Sequence, residues 1–161
     1  MKSQIILCSG GARSGKSEFA ERLALATEGR KAYVATGQAF DDEMVDRIKK
    51  HQERRGNIWT NFEIPLYLAE EWQHISSVAD VILIDCLTMF TTNHMMAHGS
   101  IQGQQDANRL EDMVLSELEA LLNLIKVSDD KIVIFVTNEI GLGIVPDNKL
   151  ARYFRDIAGR V

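Results

Sequence analysis

The stretch "GGARSGKS", residues 10–17, has the spacing Gly-x4-Gly-Lys-Ser. The short apolar run "QIILCS" (4–9) precedes it, and a helical pattern at 16–29 follows it. This strand, loop and helix order is the context of a phosphate-binding loop, because glycines let backbone N–H groups turn toward phosphate oxygens and the helix N-terminus adds a positive dipole. The stretch therefore predicts a binding site for a nucleoside triphosphate.

Within this loop, two side chains have chemical roles. Lys16 is expected to reach the β- and γ-phosphates and to act in catalysis, and Ser17 is expected to ligate Mg²⁺ beside bound GTP or ATP. The predicted nucleotide-binding residues of the loop are Gly10, Gly11, Ala12, Arg13, Ser14, Gly15, Lys16 and Ser17.

Outside the loop, the apolar runs lack polar alternation and read as buried strands. They are "QIILCS" (4–9), "KAYVATG" (31–37), "DVILIDC" (80–86) and "KIVIFVTNE" (131–139), with a weaker one at 59–65. Helical patterns separate them, the longest at 104–127, with others at 41–55, 66–75 and 148–161. This arrangement predicts an α/β fold, a mostly parallel sheet with helices on both faces, in a single domain spanning 1–161. Residues 93–106, with His94 and His98, are expected to form a long loop.

Composition narrows the class of protein. A net charge of −5 argues against bulk binding to nucleic acid or anionic membrane, and no apolar run reaches the ~18–20 residues of a membrane span. Cys8 and Cys86 are far apart within apolar runs, so we expect two buried free thiols in a cytoplasmic protein.

Several strand ends carry candidate ligands. Asp85 ends a buried strand and is predicted to bind the metal with Ser17, although an acid there could also cap the next turn. Glu139 is a weaker candidate of the same kind. Ala35, Thr36 and Gly37 close the strand 31–37 and are predicted to contact nucleotide, since ligands of parallel sheets bind at the carboxyl ends of strands.

The basic stretch "RIKKHQERRG" (47–56) surrounds one imidazole, His51. On a helix, Arg47, Arg54 and Arg55 share its face, and their charge would keep the imidazole neutral and nucleophilic. His51 also shares a stripe with Met44 and Ile48, as a packed histidine would. The spacing alone leaves both interpretations open.

Taken together, the motifs resemble the bifunctional adenosylcobinamide kinase/adenosylcobinamide-phosphate guanylyltransferase family of cobalamin assembly. The resemblance rests on "GGARSGKS" (10–17), "YVAT" (33–36), "DDEM" (41–44), "RI" (47–48), His51, Trp59-Thr60, Glu63, "TN" (92–93) and the long run "VTNEIGLGIVPDNKLARYFRDIAGRV" (136–161).

The resemblance implies a RecA-like P-loop nucleotide-binding fold, assembly as a homotrimer and two activities. One phosphorylates the aminopropanol hydroxyl of adenosylcobinamide with ATP or GTP. The other transfers GMP from GTP to that phosphate through a guanylylated histidine, which corresponds to His51. The guanine nucleotide site would be lined by Gln52, Glu53, Arg54 and Arg55. Glu63 and Asp85 would each contact the base, the ribose or the metal, and the resemblance does not say which residue has which role.

Two departures from the family pattern stand out. Gly56 replaces a common proline, and the chain stops at "GRV" where family members continue with more helix and a final strand, which implies that the C-terminal end is truncated or missing. Two other functions stay open: a P-loop small-molecule kinase without guanylyl transfer, and a catalytically inactive nucleotide-binding module.

Overall fold

A computed structural model of the protein describes residues 2–38, 53 and 56–161. Within these residues five strands form one parallel sheet in the order β1-β5-β4-β2-β3. The strands are β1 (Gln4–Gly10), β2 (Lys31–Ala35), β3 (Trp59–Glu63), β4 (Val81–Asp85) and β5 (Ile132–Asn138). The predicted α/β fold with a parallel sheet is confirmed.

The helices in the same part of the chain are α1 (Lys16–Ala26), α2 (Leu68–Val78), α3 (Leu87–His98), α4 (Gln104–Val127) and α5 (Lys149–Ala158). None of these described helices combines the length and apolarity that crossing a bilayer requires. The predicted helix at 41–55 lies outside the described residues apart from Glu53.

Both faces are covered at the strands β2, β4 and β5, which explains why these strands lack polar alternation. On one face α1 packs through Ala20 and Ala24 against Leu83 and Ile134. On the other face α2, α3, α4 and α5 share a larger core with the alternate strand residues, such as Ile84.

The prediction that 4–9 is a fully buried strand is wrong. β1 is an edge strand, and Ile5 and Leu7 are 42% and 61% exposed. Its other side chains, Ile6 and Cys8, belong to the core beside α1. The described helices on the opposite face of the sheet do not cover β1. The apolar run of β1 is therefore buried on one face only.

The predicted loop at 93–106 is also wrong over its first half, because α3 extends to His98. Cys86 caps the helix by accepting a hydrogen bond from the Met89 amide through its Sγ (3.4 Å). Gly99, at φ 87°, ends it. Asn93 and His94 therefore lie in the core, at 2% and 3% exposure, although such residue types favour turns.

At the amino edge of the sheet, a charge cluster joins the starts of three strands. The Asp80 carboxylate accepts three hydrogen bonds of 3.0 Å from the Arg30 side chain and amide, and Lys131 Nζ lies 3.3 Å from its Oδ1. Lys131 also donates to the carbonyls of Ser76 and Ala79. The hydrogen bonds from the Arg30 side chain, above all, hold the pKa of Asp80 far below its usual range.

Candidate nucleotide-binding site

The phosphate loop runs from the end of β1 to the start of α1. Gly15 is the N-cap residue of α1 and adopts a left-handed backbone (φ 83°), which glycine tolerates without strain. Gly10 sits so close to the next turn that a Cβ there would lie 2.7 Å from Ser14 Oγ. Each of these two positions therefore favours glycine for a local steric reason. Residues 11–15 between Gly10 and the start of α1 are exposed.

Lys16 begins α1 and folds back onto the loop. Its Nζ donates to the Gly11 carbonyl at 3.2 Å, and the side chain is half-buried. Ser17 follows in the first helical turn and is also half-buried. The loop therefore brings an ammonium group and a hydroxyl group to the N-terminus of a helix, the groups that phosphate binding uses.

Asp85 ends β4 and is held by Tyr33, which belongs to the family stretch "YVAT" (33–36) but had no predicted role of its own. Tyr33, on the neighbouring strand β2, donates from its phenol oxygen to Asp85 Oδ2 at 2.8 Å. The pairing spans 52 positions in sequence, so only the sheet brings the two together. With one carboxylate oxygen held by Tyr33, Asp85 is fixed in direction at the carboxyl edge.

The Ser17 and Asp85 side chains could bind a magnesium ion that is also held by a nucleotide, but they could not form a metal site by themselves. No group of three His, Cys, Asp or Glu side chains in the described part of the chain could hold a metal alone. Mg²⁺ in nucleotide sites is bound by one or two protein oxygens together with phosphate oxygens and water. The Ser17 hydroxyl and the Asp85 carboxylate are hard oxygen ligands of that kind.

The strand register aligns the predicted acids along the carboxyl edge. Asp85 and Glu63 both lie opposite Ala35, on either side of β2. Because neighbouring strands are ~4.8 Å apart, Asp85 lies roughly 10 Å across the sheet from β1 and Glu63 roughly 19 Å. The edge therefore forms a line from the phosphate loop past Asp85 to Glu63.

Thr36 joins two strand ends through its side chain. It is fully buried; its Oγ1 donates to the Cys86 carbonyl (2.6 Å) and accepts from the Cys86 amide (2.8 Å). Its own carbonyl accepts from Asn93 Nδ2 at 2.6 Å, and the same nitrogen donates to the Pro65 carbonyl at 3.0 Å. The hydroxyl of Thr36 is thus committed to the residue after Asp85.

Asn138 is a further polar residue at the carboxyl edge; it lies in the family run 136–161, but no site role was predicted for it. It lies opposite Gly10 at the end of β5, and its backbone amide donates a hydrogen bond to Thr88 Oγ1 at 2.8 Å. The buried atoms Asn138 Oδ1, Asn93 Oδ1 and His94 Nε2 have no hydrogen-bond partner among the described residues. The pair "TN" (92–93) already carried part of the family resemblance and was the available signal for Asn93.

The pKa values of two buried groups, Cys86 and His94, differ from their usual values. Burial raises the pKa of the Cys86 thiol, and burial lowers the pKa of His94 against an opposing effect of Glu117. Cys8 and Cys86 are buried free cysteines, as predicted.

The remaining predicted site residues divide into two groups. Gly37 is half-buried directly after Thr36, Glu53 is exposed, and Glu139 is exposed after β5. His51, Gln52, Arg54 and Arg55 lie outside the described residues.

Comparison with known proteins gives a family match over nearly the whole chain. Residues 6–161 match the family model described as "Cobinamide kinase / cobinamide phosphate guanyltransferase". The chain is 38% identical to the "Bifunctional adenosylcobalamin biosynthesis protein CobU" of Escherichia coli strain K12, covering 98% of this chain and 87% of that protein. It is 40% identical to the protein of the same name from Salmonella typhimurium strain LT2, with the same two coverages.

Solved structures share the fold at low sequence identity. One is a prototypical ATPase from a type III secretion system of pathogenic bacteria (TM-score 0.58, 13% identity, covering 96% of this chain and 49% of that one). Another is the ATP synthase subunit NeqB from Nanoarcheaum equitans (TM-score 0.55, 12% identity, 99% and 44%). This chain spans about half the length of each. The likeness confirms the predicted RecA-like P-loop fold.

Proposed function

Because this chain belongs to the cobinamide kinase / cobinamide phosphate guanyltransferase family, we propose that it catalyses two successive reactions on one corrinoid. It phosphorylates adenosylcobinamide with ATP or GTP, and it transfers GMP from GTP onto the resulting phosphate to give adenosylcobinamide-GDP. The observation that carries this proposal is the whole-chain match to proteins named as bifunctional, with an intact phosphate loop inside the matched region.

In the kinase reaction, the aminopropanol hydroxyl oxygen attacks the γ-phosphorus, and the nucleoside diphosphate leaves. Backbone amides of the exposed loop residues 11–15 and the Lys16 ammonium bind the phosphate oxygens, where charge spreads as the bond to the leaving oxygen breaks. Mg²⁺, when bound by Ser17 and Asp85, would offset further phosphate charge. Tyr33 keeps the Asp85 carboxylate pointed along the edge.

In the guanylyl transfer, we assign the nucleophile to His51 by family resemblance. A ring nitrogen attacks the α-phosphorus of GTP and releases pyrophosphate. The phosphate of the corrinoid then attacks the same phosphorus, and the bond to histidine breaks. Dividing the transfer into two displacements makes each step easier. By the same resemblance we assign Arg54 and Arg55 to offset the charge of the reacting phosphate, and Gln52 and Glu53 to the nucleotide site.

The order along the carboxyl edge supports different roles for the two acids. Asp85, roughly 10 Å from β1 by strand spacing, is the nearer of the two acids to the phosphate loop and would hold Mg²⁺ together with Ser17. Glu63, roughly 19 Å away, suits the base end of an extended nucleotide. A carboxylate there could accept hydrogen bonds from the N1 and N2 donors of guanine, which adenine lacks. We therefore assign Asp85 to the metal and Glu63 to guanine, with Ala35, Thr36 and Gly37 forming the backbone between them.

Product analysis tests the proposal. The protein is incubated with adenosylcobinamide, Mg²⁺ and GTP, and the corrinoids are separated by chromatography and identified by mass. We expect adenosylcobinamide phosphate first and adenosylcobinamide-GDP after it, with pyrophosphate released. Accumulation of the phosphate alone would favour a kinase without guanylyl transfer. GTP binding without either product would favour an inactive nucleotide-binding module.

We also propose that the active form is a cytoplasmic homotrimer. The resemblance supports this assembly, and its mass would be three times the 18.1 kDa of the chain. Light scattering coupled to size-exclusion chromatography measures it directly. A monomer at micromolar concentration would contradict the proposal.

A further inference from the structure

The loop after β5 exposes an unusual amount of apolar surface. Leu142, Ile144 and Val145 are 91%, 97% and 58% exposed, and all lie within the segment "GLGIVP" (141–146), which we call the apolar loop. Single exposed apolar residues are ordinary, but three within four positions of one loop are typical of a binding surface.

This loop is anchored beside the phosphate loop. β5 and β1 are neighbours, with Asn138 opposite Gly10, and the Glu139 amide donates to the Gly10 carbonyl at 2.9 Å. The Gly141 amide in turn donates to Glu139 Oε1 at 2.6 Å. The apolar loop therefore leaves the same carboxyl edge as the phosphate loop and continues its surface.

The far end of the apolar loop is also fixed. Asn148 caps α5 by accepting from the amides of Leu150 and Ala151, and Arg152 Nη1 donates to the carbonyls of Pro146 and Asp147 at 2.7 Å. Hydrogen bonds at both ends of the apolar loop therefore fix the backbone that carries the exposed side chains. A surface held in this way needs little ordering when a ligand binds.

An open cavity of about 690 Å³ adjoins the loop at Gly141. Its other walls come from α4, from α5 and from the two residues after α5, and all of these lining residues except Gly159 have polar or charged side chains. The Gln104 side chain donates to Asn108 Oδ1 (2.9 Å), and Arg160 pairs with Glu111 (3.1 Å). The apolar patch is thus bordered by side-chain amides and paired charges.

We infer that the apolar loop and this cavity bind the corrin macrocycle of the acceptor substrate, an inference that rests on the proposed function. Phosphoryl transfer requires the acceptor hydroxyl to lie in contact with the γ-phosphorus over the phosphate loop. The remainder of this large substrate must then lie on an adjoining surface. The macrocycle has an apolar face and a rim of primary amides. The first matches Leu142 and Ile144, and the second matches the amides and charges of the cavity.

The test uses the double variant Leu142→Ser/Ile144→Ser. Both side chains are more than 90% exposed, so the fold should not depend on them. Val127→Ser is the matched control, because Val127 is 80% exposed at the end of α4, which leads into the amino end of β5 and thus to the opposite edge of the sheet. Adenosylcobinamide absorbs visible light, so equilibrium dialysis measures its binding without any catalytic step.

We expect the double variant to bind adenosylcobinamide about ten-fold or more weakly than wild type, since partial burial of two such side chains is worth at least that factor. Its KM for nucleotide and its incorporation of GMP from GTP alone should stay at wild-type levels. The Val127→Ser protein should match wild type in every assay.

Two results would overturn the inference. One is wild-type corrinoid affinity in the double variant. The other is weaker binding accompanied by a smaller mass in solution, which would assign the loop to a contact between copies of the chain. If wild type itself fails to bind or phosphorylate the corrinoid, the proposed function fails, and that outcome is separated from the first two by the wild-type measurement.

Discussion

Replacing Thr36 with valine tests whether the hydrogen bonds of its hydroxyl group to Cys86 stabilise the folded protein. Valine keeps the size and branching of threonine but removes Oγ1, which donates to the Cys86 carbonyl and accepts from the Cys86 amide in a fully buried position. The two amino acids differ at one atom group, so changes in stability report on these two hydrogen bonds.

The magnitude follows from the other partners of Cys86. Its carbonyl keeps a hydrogen bond from the Phe90 amide (3.1 Å), so losing the Thr36 hydroxyl there removes one of two donors. The Cys86 amide loses its acceptor and is left buried. An orphaned buried donor costs about 1–3 kcal/mol, and a lost neutral hydrogen bond about 0.5–1.5 kcal/mol. We therefore expect Thr36→Val to lower the free energy of unfolding by about 2–3 kcal/mol.

Urea and thermal denaturation measure this change. For a domain of this size, about 1 kcal/mol corresponds to ~2–4 °C, so the midpoint should fall by roughly 5–10 °C. Thr36→Ser keeps both hydrogen bonds and loses one buried methyl group, worth about 1 kcal/mol. A Thr36→Val protein as stable as Thr36→Ser would refute the reasoning.

Three further variants probe the site and the opposite edge. Lys16→Ala should lower kcat for phosphoryl transfer at least ~100-fold, as loss of a transition-state cation does. It should not lower the melting temperature, because among the described residues the Lys16 side chain makes a single hydrogen bond, to the Gly11 carbonyl. Tyr33→Phe should raise the Mg²⁺ concentration for half-maximal activity roughly ten-fold, since partners of metal ligands tune affinity by that order; an unchanged magnesium titration would remove Tyr33 from this role. Asp80→Asn should lower the free energy of unfolding at pH 7 by about 1 kcal/mol, a value kept small because the carboxylate is 34% exposed. The folded-state pKa of Asp80 is depressed, so this contribution is present above the unfolded pKa of about 3.9 and declines as pH falls further. The gap between Asp80→Asn and wild type should therefore narrow below about pH 4, and a gap constant from pH 7 to pH 3 would contradict the assignment.

Local sequence signals predicted the parts of the site that depend on a few adjacent residues. The glycine spacing, the following helix and the strand before it specify the phosphate loop, because each requirement acts within residues 4–17. The parallel sheet followed from apolar runs separated by helices. Asp85 became a candidate because it ends such a run, and it does end β4.

Features that depend on distant pairings could not be predicted. The contacts of Tyr33 with Asp85 and of Thr36 with Cys86 join residues 52 and 50 positions apart. The exposure of Leu7 depends on β1 lying at the edge of the sheet, which a single apolar run does not reveal. Asn93 and His94 suggested a loop by residue type, but burial in α3 overrode that local preference.

The most direct test of the central claim, that one chain carries both activities with His51 as the GMP carrier, is covalent trapping. Wild type and His51→Ala are incubated with GTP labelled at the α-phosphate, denatured, and the labelled peptide is mapped. We predict acid-labile, base-stable label on wild type at His51, none on His51→Ala, and phosphorylation of adenosylcobinamide retained in both proteins. Label that persists in the His51→Ala protein would contradict the account.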